Sequence, residues 1–567
     1  MQCPRVEGGA VMRFPKASLT LVFSVLLAGA GALAGCGGAG QSVWDMARGH
    51  VGASSAALEG RLLSGDRRAR GALLFAFGDY GGLDTDAMLT VAVPWKLTSA
   101  ALVMAQTPDE VSQASLRRIL ANYGFLYPAE IANWPEEAGP PPRPEAMLGV
   151  TLGVGRRSLP PIELQIGNIG CAACHAAPIY GADGRASPDR VWLGAPNPSL
   201  NLEAYTQGLY AALQGGVAEP ERLMATVRRL YPDMTEREAA TLRSFVMPRV
   251  RERMKAVAAT GQGVLPFSNG LPGATNGVAA LKLQHGLLAN DPHAMTRETG
   301  FTSIPHLADR AWRSALLWDG AYAPPGQERF RPMGASDLNE AHRDQLAAIT
   351  AYFTVPSMGV SGATARQQVP DVKTAWAFLE TLRPQPFPGT IDVERAAAGR
   401  EIFQRACASC HGTYAETAEG PRLVRFPNWA GDVGTDRTRA EAITEDLAAR
   451  VNASPLRASI LAAHTGVYAA PPLTGLWQSA PYLHNGSVPS LAALLGLEER
   501  PVRFRVGGHA MDMQRVGVAY PEGHRPYAQP AWVDTRQSGL NGQGHEAPFA
   551  GLSREDRLAL LEYLKRL

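Results

Sequence analysis

The chain has 567 residues, with 54 Lys and Arg against 52 Asp and Glu and a formal net charge of +2. At 46% hydrophobic and 19% charged, it is not a disordered chain, and the absence of a polybasic run gives nucleic acid no electrostatic footing. Its length allows more than one buried core and more than one domain, so disulfides are not needed to hold it.

The first segment reads as an export signal. Arg13 and Lys16 precede an apolar run that ends in Leu33-Ala34-Gly35-Cys36. The run is short for a membrane span and closes on small residues, as a cleaved signal does. Leu-Ala-Gly-Cys is also the pattern of a lipoprotein signal, cut before a cysteine that is then acylated; an ordinary signal or an uncleaved anchor is the alternative. Met12 is a candidate start, which would leave Cys3 outside the protein. The expected division is a signal over 1–35 with lipidation at Cys36, a Gly-rich tether over 36–48, and a globular protein outside the cytoplasm. Periplasm or cell surface is then the location, with membrane contact through the lipid alone.

An N-terminal domain is expected over 49–385. "AGPPPRPE" (138–145) is a Pro-rich surface loop. Helical periodicity and Ser/Thr-x-x-Glu starts predict helices over much of 203–260. From 261 to 335 glycine and proline are frequent and no period holds, which suits either a pocket wall or a connecting loop. "LRPQPFPGTID" (382–392) cannot be helix interior and reads as a linker. After it, 386–567 reads as a second domain. It opens on a helical "VERAAAGREIFQRA" and closes on "LSREDRLALLEYLKRL", where Ser553 and Asp556 make a capping-box start. Leu558, Leu561 and Leu564 recur at helical spacing there. Strand signals are weak throughout, so the fold class expected is mainly α. No internal repeat is evident beyond one short motif.

That motif is Cys-x-x-Cys-His, present as Cys171, Cys174, His175 and again as Cys407, Cys410, His411. It is the attachment sequence of c-type haem. One helical turn brings both thiols to one porphyrin edge, and the next residue reaches the iron. A redox dithiol or half a zinc site shares the Cys-x-x-Cys spacing, but the adjacent histidine and the second copy argue against both. Four of the six cysteines are thereby used, and the expected cofactors are two covalently bound haem c groups, ligated by His175 and His411. The sixth ligand decides the chemistry: an iron closed on both faces carries electrons, and one with an open face binds oxygen or peroxide. Ten histidines remain, and context singles out three. His545 follows Gly542 and Gly544 just before the last helix. His484 stands in a Tyr/Asn/Gly turn, and His509 is flanked by Met511 and Met513, which are alternative ligands themselves.

"APYLHNGS" (480–487), with "RFRVGGHAMDMQRVGV" and "GHE" (544–546), resembles the C-terminal half of the di-haem rubber oxygenases and their relatives. That branch, called RoxA-like, lies within the di-haem cytochrome c peroxidase superfamily. The segment from 165 to 205 is similar too, and the stretch around "SALLWDGAYAPPGQERF" more loosely. The resemblance implies two cytochrome c-like haem domains, the N-terminal one enlarged by helical and irregular insertions. It implies that His545 is the distal ligand opposite His411, with Met511 and Met513 as alternatives. It implies an oxygen-reactive first haem on His175, and a role for His484 in bracing the turn or a propionate rather than binding iron. Arg503 and Arg505 are candidates for haem propionates, as guanidinium suits carboxylate. Trp318, Phe330 and Arg331 are distal candidates at the first haem, and Glu328, Glu298 and His293 are acid–base candidates. The spacing from Cys171 to Cys407 is wider than in di-haem peroxidases, so rubber itself is not implied.

Two readings follow. One is an oxidoreductase acting on dioxygen or hydrogen peroxide with an unknown reductant or organic substrate, with a redox protein as a candidate partner. The other is a lipid-tethered electron carrier with both irons closed and no substrate.

Overall fold

The computed structural model describes residues 50–53, 56–63, 65–78, 93–157, 161–260, 267–288, 298–357, 362–508, 510–520, 522 and 524–567. The expected signal and tether, with Cys3, Met12 and Cys36, lie outside the described residues, as do His293 and His509. No described helix is long and apolar enough to cross a membrane.

The N-terminal core forms around the helix Trp95–Gln106. Its sequence, "WKLTSAALVMAQ", is apolar on almost every side, and Leu97, Ala100, Ala101, Leu102 and Val103 are wholly buried. A helix of that kind must be enclosed. Leu202–Ala218 and Pro220–Leu230 lie against it. The helices expected over 203–260 are present as these two, Glu236–Thr241, a π turn over Leu242–Val246, and Met247–Thr260. A four-stranded antiparallel sheet covers the other side, in the order His50–Ala53, Val150–Arg157, Ile162–Ile169, Val93–Pro94. Ile162, Leu164 and Ile166 point into the core while Glu163 and Gln165 are less buried, the period-two pattern of a strand. This strand ends at Ile169 and delivers Cys171 directly. Gly149 stands beside the motif at φ 78°, and a Cβ there would lie 1.9 Å from the Ala173 nitrogen. Only glycine lets the two backbones meet.

The helices Glu340–Ser357 and Gly362–Leu379 pack as a pair with Arg67–Phe77. The Pro-rich stretch over 382–392 is irregular, as its prolines require. It is no loose tether, however. Gln385 is buried, donates from its amide to the Tyr180 carbonyl at 3.0 Å, and accepts the Trp477 indole N–H on its own carbonyl at 2.9 Å.

In the C-terminal part, Val393–Ala406 crosses Arg554–Leu564. A Cβ on Gly399 would sit 2.0 Å from the Ala559 carbonyl oxygen, so glycine sets the closeness of this crossing. The last helix begins on the expected capping box. Ser553 Oγ accepts the Asp556 N–H at 3.1 Å, and Asp556 accepts the Ser553 N–H at 3.0 Å.

The expected fold class is met in part. The described residues are 41% helix and 17% strand, a mixed fold and not clearly a mainly α one. Most of the strands span two to five residues, as in Tyr322–Ala323 with Leu461–Ala462. Such pieces are set by tertiary contact and are too short to show a period.

Candidate functional site

The first motif forms the helical turn Cys171–Cys174. Asn197, almost wholly buried, holds it: its backbone N–H donates to the Cys174 carbonyl at 2.8 Å, and its amide donates to Ala173 O at 3.0 Å and Gly124 O at 2.9 Å. His175 Nδ1 lies 3.1 Å from the Pro305 carbonyl oxygen. A carbonyl only accepts, so Nδ1 carries the proton and the Nε2 lone pair is free for a metal. Burial drives His175 down to about 3, with Arg310 adding to the shift and the Pro305 carbonyl opposing it. The imidazole is neutral across the physiological range.

The second motif repeats this arrangement. Cys407 ends the long helix, Ala408–His411 make one turn, and His411 Nδ1 lies 2.9 Å from the Pro471 carbonyl oxygen. Burial pushes His411 down to about 4, with His545 adding and Pro471 opposing. Burial likewise pushes the Cys174 and Cys407 thiols up to about 12. An activated thiol is shifted the other way, so neither Cys174 nor Cys407 has the character of a reactive thiolate.

The two proline carbonyls belong to a repeat that the sequence hides. Pro305 and Pro471 each open a loop with the same backbone. Asp309 and Gly475 have φ 58° and 77°, Leu317 and Leu483 have 73° and 67°, and Gly320 and Gly486 have 61° and 68°. Leu316 bridges Tyr322 as Tyr482 bridges Val488. Asp319 accepts the Ala321 N–H as Asn485 accepts the Ser487 N–H, at 3.1 and 3.2 Å. Every pair is separated by the same distance along the chain. A duplicated loop therefore stands beside both motifs, and Trp318 holds in the first copy the place of His484 in the second.

His411 opens into a cavity of about 220 Å³, lined mainly by apolar side chains. His545 faces it. Its φ of 57° follows Gly544 at 86°, and its N–H donates to the Val433 carbonyl at 2.7 Å. The His411 and His545 ring centres are 6.0 Å apart. Two metal–nitrogen bonds of about 2 Å, plus roughly 1 Å from each nitrogen to its ring centre, sum to about 6 Å, so the spacing suits one iron between them. Burial holds His545 below the ordinary histidine range, with Arg500 acting the same way. Arg500 also fixes the loop, donating to Gly542 O at 2.6 Å and Gly544 O at 2.8 Å. Asn485 ties the same loop to the repeated turn through Gly539 O and Asn541 O. Neither Met511 nor Met513 lines this cavity. The Met511 N–H donates to Gly184 O at 2.8 Å, and Met513 packs on Gly389.

His484 is buried on the cavity wall. Its ring stacks on Tyr468 at 4.1 Å, and its Nε2 lies 2.9 Å from the Tyr468 hydroxyl. Its backbone oxygen accepts the Ser303 N–H at 2.7 Å, so it braces the turn.

The distal candidates separate. Trp318 lines the His411 cavity, and its indole N–H donates to Ser303 O at 3.3 Å. Phe330 packs on the backbone of Gly320. Arg331 donates to Asp337 at 2.7 Å. Glu328 is exposed, and Glu298 is paired with Lys282 at 3.0 Å. Arg503 and Arg505 stack over the half-exposed Trp532, at 5.0 and 4.9 Å, on a solvated ribbon. They do not line the cavity. Sequence reasoning missed Pro305, Pro471, Asn197, Arg310 and Arg500. The proline-to-Asp/Asn-Gly spacing common to both loops was the one available signal.

A family described as "RoxA-like, cytochrome c-like" matches residues 467–505, and one described as "Cytochrome C oxidase, cbb3-type, subunit III" matches 394–455. Both matches fall in the C-terminal part, which is cytochrome c-like and carries haem-based redox chemistry with covalently bound haem c. Among curated proteins, the uncharacterised y4iM of Sinorhizobium fredii is 30% identical over 310 residues, covering 47% of this chain and 64% of that protein. The uncharacterised y4iJ of the same organism is 27% identical over 345 residues, covering 49% and 56%. The chain thus spans less than two thirds of either relative.

Proposed function

We propose that the protein is an exported di-haem c-type cytochrome oxidoreductase. In this reading Cys171, Cys174 and His175 hold the haem at which dioxygen or hydrogen peroxide is activated. Cys407, Cys410, His411 and His545 hold a six-coordinate haem that transfers electrons to it or tunes it. When bound, haem c supplies one-electron redox chemistry and, at an iron with an open face, a site for oxygen or peroxide. The observation that supports the reading is the duplicated loop with different histidine surroundings at its two copies. His411 has an imidazole facing it at 6.0 Å between ring centres. Among the described residues the buried His306 interacts electrostatically with His175, without a ring-to-ring approach like that of His411 and His545.

The chain's own groups orient and insulate. The Pro305 and Pro471 carbonyls fix each ring's tautomer and raise its basicity as a ligand. Ser303, Ile304, Pro305 and His306 run from the His175 hydrogen bond into the lining of the His411 cavity, so one strap serves both sites. Export, acylation at Cys36, a periplasmic or surface location and an unknown reductant, organic substrate or redox protein partner belong to the same proposal. Membership of the peroxidase superfamily does too.

Carbon monoxide titration of the dithionite-reduced protein tests it. Half of the haem is expected to shift to a CO-bound spectrum. If no haem binds CO, both irons are closed and the protein is an electron carrier.

A further inference from the structure

Arg310 is a cation without an anion. It is half-buried on the wall of the His411 cavity, and burial beside Arg313 holds it down at about 9. Its Nε donates to the His306 carbonyl at 2.9 Å. Among the described residues no carboxylate pairs with the rest of its guanidinium. The adjacent Asp309 is engaged elsewhere, accepting the Thr474 hydroxyl at 2.5 Å and lying 4.0 Å from Arg383. Asp319, the next acid along the loop, is wholly buried against Arg439 at 2.6 Å. A charge held away from bulk water with no partner is costly even when part of the side chain is exposed, and native structures supply one. A second group lining the same cavity is also unmatched. Thr435 is 6% exposed, lines the cavity, and its hydroxyl has no hydrogen-bond partner.

We propose that Arg310 and the Thr435 hydroxyl bind the propionates of the haem held by Cys407, Cys410 and His411, with Arg310 supplying the counter-charge. The assignment rests on the reading that haem occupies this cavity. The charge count fits it. Haem brings two carboxylates into a cavity whose only described charged lining residue, apart from histidines, is Arg310. A guanidinium offers two parallel N–H donors to one carboxylate, and a hydroxyl offers one more. Arg310 also acts electrostatically on His175, so the clamp lies where the charge of one site is felt at the other. It corrects the sequence-based choice of Arg503 and Arg505, whose guanidinium groups face Trp532 and solvent.

The test uses the full-length, haem-loaded protein and its Arg310→Gln, Arg310→Lys and Thr435→Val variants. Haem attachment at each motif is read by mass spectrometry. The propionate bending mode is read by resonance Raman, and the midpoint of the low-spin haem by spectroelectrochemistry. Arg310→Gln is expected to keep both haems, move the propionate mode and lower the midpoint, because a lost cation disfavours the added electron. Arg310→Lys restores the midpoint but not the mode, since it keeps the charge and loses the fork. Thr435→Val moves the mode and leaves the midpoint nearly unchanged. If Arg310→Gln fails to mature, Arg310→Lys carries the test through its mode shift. Attached haem with mode and midpoint unmoved in the Arg310 variants overturns the clamp alone. Wild-type protein with no haem at Cys407 and Cys410 overturns the reading beneath it as well.

Discussion

At the scale of single residues, the ring-to-ring spacing of His411 and His545 makes a direct prediction. His545→Ala removes one of two imidazoles that straddle a single iron position. The CO-binding fraction of the reduced protein should rise from half of the haem to all of it, with a low-spin to high-spin change in the Soret region. An unchanged fraction would assign the sixth ligand to another residue. His484 makes a different prediction, about pH. Burial pushes it from the ordinary 6.5 to about 3, against Asp436, which raises it, and with Arg439, which lowers it further. The unfolded chain therefore binds a proton between those values that the folded chain does not, and stability rises with pH across that window. Falling from pH 8 to pH 5 should cost roughly 2 kcal/mol through this residue. The loss continues until the pH passes the folded value near 3. His484→Gln keeps a donor toward Tyr468 and removes the titration. Urea midpoints at the two pH values should diverge less in the variant than in wild type. Equal divergence in both would show that His484 is not buried neutral.

At the scale of elements, the crossing of Val393–Ala406 and Arg554–Leu564 depends on one missing side chain. Gly399→Ala places a methyl 2.0 Å from the Ala559 carbonyl. Backbone cannot rotate away as a flexible side chain does, so the helices must part, at a cost of about 1–3 kcal/mol. A denaturant midpoint unchanged by the substitution would mean that the crossing is looser than described. These helices were legible in sequence because each carries its own start signal and apolar period, and Ser553 with Asp556 capped the last one as read. The strand Ile162–Ile169 was also legible in principle, since "IELQIGNI" alternates through its first five residues. The two-residue strands were not, because register with a distant partner is their whole specification. The histidine motifs were readable because their chemistry is local. The repeated loops were hidden because backbone angles were kept while side chains changed: Asp309 matches Gly475, and Trp318 matches His484. Arg310 and Arg500 were invisible for the related reason that their partners lie far along the chain or in the cofactor.

At the scale of the whole molecule, the boundary near residue 386 divides the sequence better than it divides the site. The cavity around His411 and His545 draws Ser303, Ile304, Pro305, His306, Arg310 and Trp318 from before that boundary. Gln385 ties the irregular stretch to Tyr180 on one side and Trp477 on the other. The buried Arg439–Asp319 pair, at 2.6 Å, spans the same division, and cutting it would leave one buried charge alone. A fragment of residues 386–567 would therefore lose one wall of its cavity and expose the apolar face behind it. Expressed alone with haem-attachment machinery, it should carry little haem with a six-coordinate, low-spin spectrum. Co-expression with residues 49–385 should restore that spectrum, because the missing wall is supplied in trans. A fragment that alone gave the full-length spectrum and midpoint would show the C-terminal part to be an autonomous cytochrome. The strap over Ser303–Arg310 would then be an accessory to the second site, and the coupling of the two sites would have to run through other groups.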